Sequence, residues 1–108
     1  DSVFYNNKYI GIAYSNNDKK CTSHIKLYDF NGKMLMENDT SIAYRNIEFD
    51  SNNEVCVTGE SACEIYTIHG VKKFYHTFDQ KLYKVMYKSG INNYIFIYEG
   101  AMDEVRLK

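Results

Sequence analysis

Leu27-Tyr28-Asp29-Phe30-Asn31-Gly32 returns as Ile65-Tyr66-Thr67-Ile68-His69-Gly70, 38 residues further along (65 minus 27). In both copies apolar residues two apart, Ile25 and Leu27 or Cys63 and Ile65, lead through a polar residue to a glycine. That is the pattern of a half-buried strand running into a tight turn. Repetition at a period of roughly 20–50 residues marks architectures in which one supersecondary unit buries its apolar face on copies of itself.

Working outward from the echo gives three copies of one unit. Each opens with a short strand: Val3-Phe4-Tyr5, Ile47-Glu48-Phe49 and Val85-Met86-Tyr87, apolar at the first position and aromatic at the third. Polar turns follow at Asn6-Asn7-Lys8, Asp50-Ser51-Asn52-Asn53 and Lys88-Ser89-Gly90-Ile91-Asn92-Asn93, where Asn and Gly tolerate the left-handed backbone of hairpin turns. The second strands, 9–14, 54–58 and 94–98, are apolar on both alternating sets and read as buried on two faces. The third strands, 25–30, 63–68 and 103–107, read as half buried. Fourth strands follow the two glycines at 33–36 and 71–76. No window carries a 3.6-residue apolar period with capping signals, so no helix is predicted.

The prediction is therefore all-β: consecutive four-stranded antiparallel meanders in repeat units 1–40, 41–79 and 80–108 of a single domain or fragment. Such meanders are the blades of a β-propeller, here about two and three-quarter blades. The alternative is one β-sandwich or barrel of the same length. A propeller closes with about 4–8 blades. Three would leave apolar faces uncovered, so self-association or a longer parent chain is expected.

The totals narrow the function classes. With 13 basic against 14 acidic residues the net charge is −1, and no basic run suits nucleic acid or an anionic membrane. The longest apolar run, Tyr94-Ile95-Phe96-Ile97-Tyr98, falls far short of the roughly 20 residues of a membrane helix. The chain opens at Asp1 with neither initiator Met nor signal peptide, as expected of a processed chain or a piece of a longer one. Cys21, Cys56 and Cys63 lack any C-x-x-C spacing; free thiols are expected, with a Cys56–Cys63 bridge across a hairpin as the alternative. Asn38-Asp39-Thr40 fits a glycosylation sequon, which requires a eukaryotic secretory context.

The run Cys63 to Phe74, followed by Thr77-Phe78-Asp79 and Leu82-Tyr83-Lys84-Val85, resembles an uncharacterised, propeller-like protein family of low-GC Gram-positive bacteria, a family defined only as a domain of unknown function. The likeness extends to Glu104-Val105-Arg106-Leu107-Lys108. It implies an extracytoplasmic repeat domain, anchored in the full-length parent by one membrane helix that this segment lacks. The resemblance brings no catalytic residues. The Gly-His and Trp-Asp signatures of the best-known propellers are missing, and the chain has no Trp.

Chemistry-bearing residues are sparse. His24, His69 and His76 have no ligand-pair spacing, and His69 takes the turn position of Asn31. Ser15, Ser23 and Ser61 lack a nucleophile-elbow context, and no phosphate loop is present. No cofactor or metal is expected. Glu48, Glu54, Glu64 and Glu104 fall at polar strand positions and are assigned to solvated faces; Lys19-Lys20 and Lys72-Lys73 are assigned to solvated turns or edges. Of the 11 Tyr, the pairs Tyr5 and Tyr87, Tyr28 and Tyr66, and Tyr9 and Tyr94 recur at repeat positions and read as packing between units. Tyr14, Tyr44, Tyr75, Tyr83 and Tyr98 lie near strand ends, where loop-borne sites form, and are the candidate ligand-binding residues.

These features favour a non-catalytic binding module, part of a bacterial envelope propeller with a protein, peptide or glycan partner. The alternatives are a piece of a propeller enzyme whose active site lies in other blades, and a self-associating β-module.

Overall fold

The structure, a computed structural model, describes residues 2–15, 23–90 and 92–107. Cys21, the Lys19-Lys20 pair, Asp1, Ile91 and Lys108 lie outside the described residues. Eleven strands follow one another: β1 (Ser2–Tyr5), β2 (Tyr9–Ser15), β3 (Ser23–Asp29), β4 (Met34–Asp39), β5 (Asn46–Phe49), β6 (Val55–Thr58), β7 (Ala62–Tyr66), β8 (Lys72–Thr77), β9 (Leu82–Ser89), β10 (Asn93–Tyr98) and β11 (Met102–Arg106). They pair with their sequence neighbours into three antiparallel sheets, β1-β2-β3-β4, β5-β6-β7-β8 and β9-β10-β11. Separate sheets of 4, 4 and 3 strands are neither the two sheets of a sandwich nor the closed sheet of a barrel. No described residue is helical.

The sequence echo is a repeated hairpin. Gly32 and Gly70 take φ of 85° and 86°, the left-handed turn position that a Cβ disfavours. Each glycine N–H donates to the carbonyl three residues back, Asp29 at 3.1 Å and Thr67 at 3.0 Å. The side chain of the same residue caps the turn: Asp29 Oδ1 accepts from the Lys33 N–H at 3.0 Å, and Thr67 Oγ1 from the Val71 N–H at 3.2 Å. A register shift precedes both turns, between Leu27 and Tyr28 and between Ile65 and Tyr66. The connections repeat as well. Thr40 N donates to Ser23 O and Phe78 N to Ser61 O, both at 2.8 Å. In the other turns Asn53 and Asn92 supply the left-handed conformation, at φ of 56° and 59°.

Cross-strand pairing assigns every strand residue to one of two faces. The upstream face carries Val3, Tyr5, Ile10, Ile12 and Tyr28 in the first sheet, Ile47, Phe49, Val55, Val57 and Tyr66 in the second, and Val85, Tyr87, Tyr94, Phe96 and Val105 in the third. The downstream face of the first sheet, with Phe4, Ala13, Ile25, Leu27 and Met36, packs on the upstream face of the second. The downstream face of the second, with Cys56, Cys63, Ile65 and Phe74, packs on the upstream face of the third. The middle sheet is thus buried on both sides, which is why Val55–Thr58 and Cys63–Tyr66 are buried without a break. Gly11 makes room for this packing, since a Cβ there would lie 2.1 Å from the Phe4 ring.

Three sequence expectations change. β9 begins three residues before Val85, and β4 runs on through Glu37, Asn38 and Asp39. Tyr94 pairs with Tyr87 as Ile10 pairs with Tyr5, so its counterpart in the first sheet is Ile10 and not Tyr9. Glu54 and Glu64 are buried, at 5% and 0% exposure, because the middle sheet has no solvated face. Lys72 and Lys73 reach inward to pair with them. Cys56 and Cys63 are buried and free, both facing the third sheet.

Candidate functional site

Two buried carboxylates sit where sheets meet. Glu64 of β7, between the first and second sheets, accepts from the Ser41 N–H at 2.9 Å and the Tyr66 hydroxyl at 3.1 Å, both at Oε1. Its Oε2 has no hydrogen-bond partner but faces the Lys72 ammonium at 2.8 Å. Lys72 in turn donates to Ser41 Oγ at 2.7 Å and lies over the rings of Tyr66 and Tyr75. The pair is a charge-compensated joint between the first two sheets.

Glu54 occupies the corresponding space between the second and third sheets. Lys73 and the Tyr94 hydroxyl both donate to it, and Lys73 also contacts the Tyr94 oxygen at 3.1 Å. Burial opposes ionisation of Glu54, but the hydrogen bonds from Asp50, Lys73 and Tyr94 outweigh it and lower its pKa. Asp50 moves the other way, to about 6, through burial first and then the adjacent Glu54. Its Oδ1 caps the turn, accepting from the N–H groups of Asn52 and Glu54 at 2.9 Å. Its Oδ2 accepts from the Cys56 thiol at 3.7 Å. Burial, then Asp50, pushes that thiol well above its ordinary range.

An open concavity lies at the outer rim of the same interface, between β8 and the third sheet. Phe74, His76, Phe78, Phe96, Tyr98 and Val105 line a groove of about 290 Å³. Phe96 and Tyr98 each stand 5.5 Å from Phe78, and His76 4.9 Å from it. At one end Asp79, Gln80 and Asp103 turn the lining polar. Burial and then Asp103 raise the pKa of Tyr98. Alternation along β8 places Phe74 and His76 on one side, a signal present in the sequence but without meaning until the facing sheet is known.

Of the candidate tyrosines, Tyr98 alone lines this groove. Tyr75 is on the opposite face of β8, beneath Lys72. Tyr83 is exposed on β9 beside Lys81. Tyr14 packs on the His24 ring at 5.3 Å. Tyr44 ties the β4–β5 connection to the first sheet, its hydroxyl 3.0 Å from Ser2 Oγ and 3.3 Å from the Ala13 carbonyl oxygen. The five are not brought together. His24 has Nδ1 2.7 Å from Asp39 and Nε2 2.8 Å from Glu37, and its pKa is raised by those two bonds. A ring with a carboxylate at each nitrogen is suited to be an imidazolium, and among the described residues no cluster could hold a metal ion.

The model of a family of unknown function, DUF5711, matches residues 1–107, and the chain belongs to that family. No curated protein and no solved structure matches it. No helix among the described residues is long and apolar enough to cross a membrane.

Proposed function

We propose that this DUF5711 protein is a non-catalytic interaction module of the bacterial cell envelope, its three sheets being successive blades of a β-propeller and its outer groove the seat of an extended peptide. The envelope location is what the sequence resemblance implies. The blade assignment is supported by three sheets stacked in one repeated sense, upstream face on downstream face.

What carries the peptide reading is the contrast between Glu64 and Asp103. Pairing places them at one position of the repeat: Glu64 opposite Val57 and Asp103 opposite Phe96, where Ile47 and Val85 complete the rows. Glu64 is met by Lys72 from the fourth strand of its sheet. Among the described residues Asp103 has neither a fourth strand beside it nor an ion-pair partner. Among the described residues no strand pairs with the outer edge of β11, which is where an added strand would dock. Lys72 sits opposite Tyr66, whose counterpart is Val105, and Tyr75 opposite Glu64. A segment with lysine opposite Val105 and an aromatic residue opposite Asp103 would supply the missing cation and close the ring-lined wall. The ligand class is a basic, aromatic extended peptide.

Catalysis has a weaker case. Asp50 has the perturbed pKa of an acid–base group, yet one oxygen caps a turn and the other faces a buried thiol.

The test is a titration of the isotope-labelled protein with a synthetic peptide, KKFYHT, followed by amide chemical shifts. Shifts confined to Met102–Arg106 and the groove, absent with the double Lys-to-Glu peptide and weakened several-fold by Asp103→Asn, support the reading. No shift at β11, or equal response to both peptides, sinks it.

A further inference from the structure

The two joints between the sheets use matching strand positions differently. At the first, the Phe49 ring meets Phe4 at 5.0 Å and Tyr9 at 5.9 Å, both from the preceding sheet. Register identifies the corresponding residues at the second. Phe49 lies opposite Val55 as Tyr87 lies opposite Tyr94, and Phe4 lies opposite Gly11 as Glu48 lies opposite Cys56. Tyr9 closes its turn by accepting the Asn6 N–H at its carbonyl, and Glu54 does the same for Asp50. At the second joint, then, the positions of Phe4 and Tyr9 are held by Glu48 and Glu54. Among the described residues the ring neighbour of Tyr87 is Tyr94, 5.4 Å away in its own sheet.

A groove of about 190 Å³ opens there between β5 and β9, with Glu48, Ser51, Lys84, Val85 and Tyr87 in its lining, so both walls belong to this chain. Glu54 is turned away to Lys73 and Tyr94. The charge at the mouth is the pair that spans it, Lys84 Nζ of β9 lying 3.1 and 3.3 Å from the Glu48 oxygens of β5. Asn46 Nδ2 also donates to Glu48, at 2.7 Å, and Ser51 Oγ to the Tyr87 carbonyl, at 3.4 Å. The Lys84 and Glu48 side chains are 46% and 37% exposed, and a pair so exposed contributes less than about 1 kcal/mol, so parting it costs little.

What can part it follows from charge. A cation inserted at Glu48 leaves Lys84 without its anion, and an anion inserted at Lys84 leaves Glu48 without its cation. A zwitterion satisfies both. Beside the pair lie the Tyr87 ring and the buried Val85, which suit an aromatic group set on Tyr87 as Phe4 is set on Phe49. We propose that this inner groove binds a free aromatic α-amino acid, its ammonium on Glu48, its carboxylate on Lys84 and its ring on Tyr87. The site is separate from the outer peptide groove and rests on neither that reading nor the blade assignment.

The probe is free phenylalanine, titrated into the isotope-labelled protein at neutral pH and followed by amide chemical shifts. Saturable shifts confined to β5, the turn after it and β9 are expected, with a dissociation constant no weaker than about 1 mM. Phenethylamine and phenylpropionate each lack one charge, and free alanine lacks the ring. Each should bind more weakly by about tenfold or more, the loss of one charged hydrogen bond or one ring contact. Glu48→Gln and Lys84→Met should weaken phenylalanine by a similar factor, and both side chains are exposed enough for the fold to tolerate the change. Tyr87→Leu, which keeps an apolar side chain but removes the ring, should do the same. Absence of saturable shifts overturns the proposal, as does binding of alanine or either singly charged analogue as tight as that of phenylalanine. Undiminished binding to any of the three variants overturns it too. Shifts at β11 alone would belong to the outer groove and would count equally against the inner one.

Discussion

Lys72 of β8 holds Glu64 of β7 from 2.8 Å on the face of the second sheet that packs against the first, and among the described residues it is the sole neighbour that compensates Oε2 of that fully buried carboxylate. Removing one partner of such a pair leaves a buried charge unmatched, which costs about 3–5 kcal/mol where both are buried. The Lys72 side chain is 39% exposed, so water recovers part of the loss. Lys72→Met should therefore destabilise by about 2–3 kcal/mol. Glu64→Gln keeps an acceptor for Ser41 and Tyr66 and removes the charge. The double variant should be more stable than Lys72→Met alone in urea unfolding. Equal midpoints for the two would mean that Glu64 is solvated in spite of its burial.

Asp50 and Asn6 cap equivalent hairpin turns, Asn6 Oδ1 accepting from the Lys8 and Tyr9 N–H groups at 2.8 and 2.9 Å as Asp50 does from its own turn. Asn is thus a tested residue for this position. The folded pKa of Asp50, about 6, lies above its ordinary 3.8, so the native state holds the proton more tightly between those values. Stability from this group falls as pH rises from about 4 to above 6. Asp50→Asn should leave stability unchanged near pH 4 and raise it at pH 7 by about 1–2 kcal/mol after allowance for solvent screening. A gain that is the same at both pH values would place the effect elsewhere.

The all-β class and the eleven strands were legible because alternation and Asn or Gly turns are local signals. The burial of Glu54 and Glu64 was not. A strand sequence such as Cys63-Glu64-Ile65-Tyr66 alternates as a half-buried strand does, and only the presence of a sheet on each side makes its polar position interior. The lysines that neutralise these carboxylates come from β8, Lys72 one hairpin from Glu64 and Lys73 two from Glu54, at the irregularity where Lys73 is the extra residue between the paired Lys72 and Phe74. The groove was hidden for the same reason. Phe74, Phe78 and Phe96 line it where, among the described residues, the third sheet has no fourth strand.

His24 is bonded to Asp39 and Glu37 and packed under Tyr14, the charged and titratable groups it meets among the described residues. Its folded pKa is raised above 6.5, so its stabilising effect is complete below that value and is lost as pH climbs through the folded pKa. The ring protons should titrate by NMR with a midpoint above 6.5. His24→Gln should lower the melting temperature by a few degrees at pH 6 and by less at pH 9. A midpoint at or below 6.5 would show that the two carboxylates do not hold the ring.

Gly32 and Gly70 have the same backbone conformation but different surroundings, and the difference separates a local cost from one shared between sheets. A side chain at either position is forced into the left-handed region, which costs about 1 kcal/mol. At Gly32 an added Cβ meets nothing within 4 Å. At Gly70 it lies 3.1 Å from Asn38 Nδ2, the group that donates to the Gly70 carbonyl at 2.8 Å and joins β4 to the second sheet. Gly32→Ala should thus cost about 1 kcal/mol and Gly70→Ala about 2, the excess being the displaced hydrogen bond. Asn38→Ala separates the terms: in its background the strain at residue 70 remains but no amide is left to displace, so the two alanine substitutions should become equal. If Gly70→Ala keeps its excess in that background, the added cost arises within the hairpin itself and the link between the sheets contributes nothing to it.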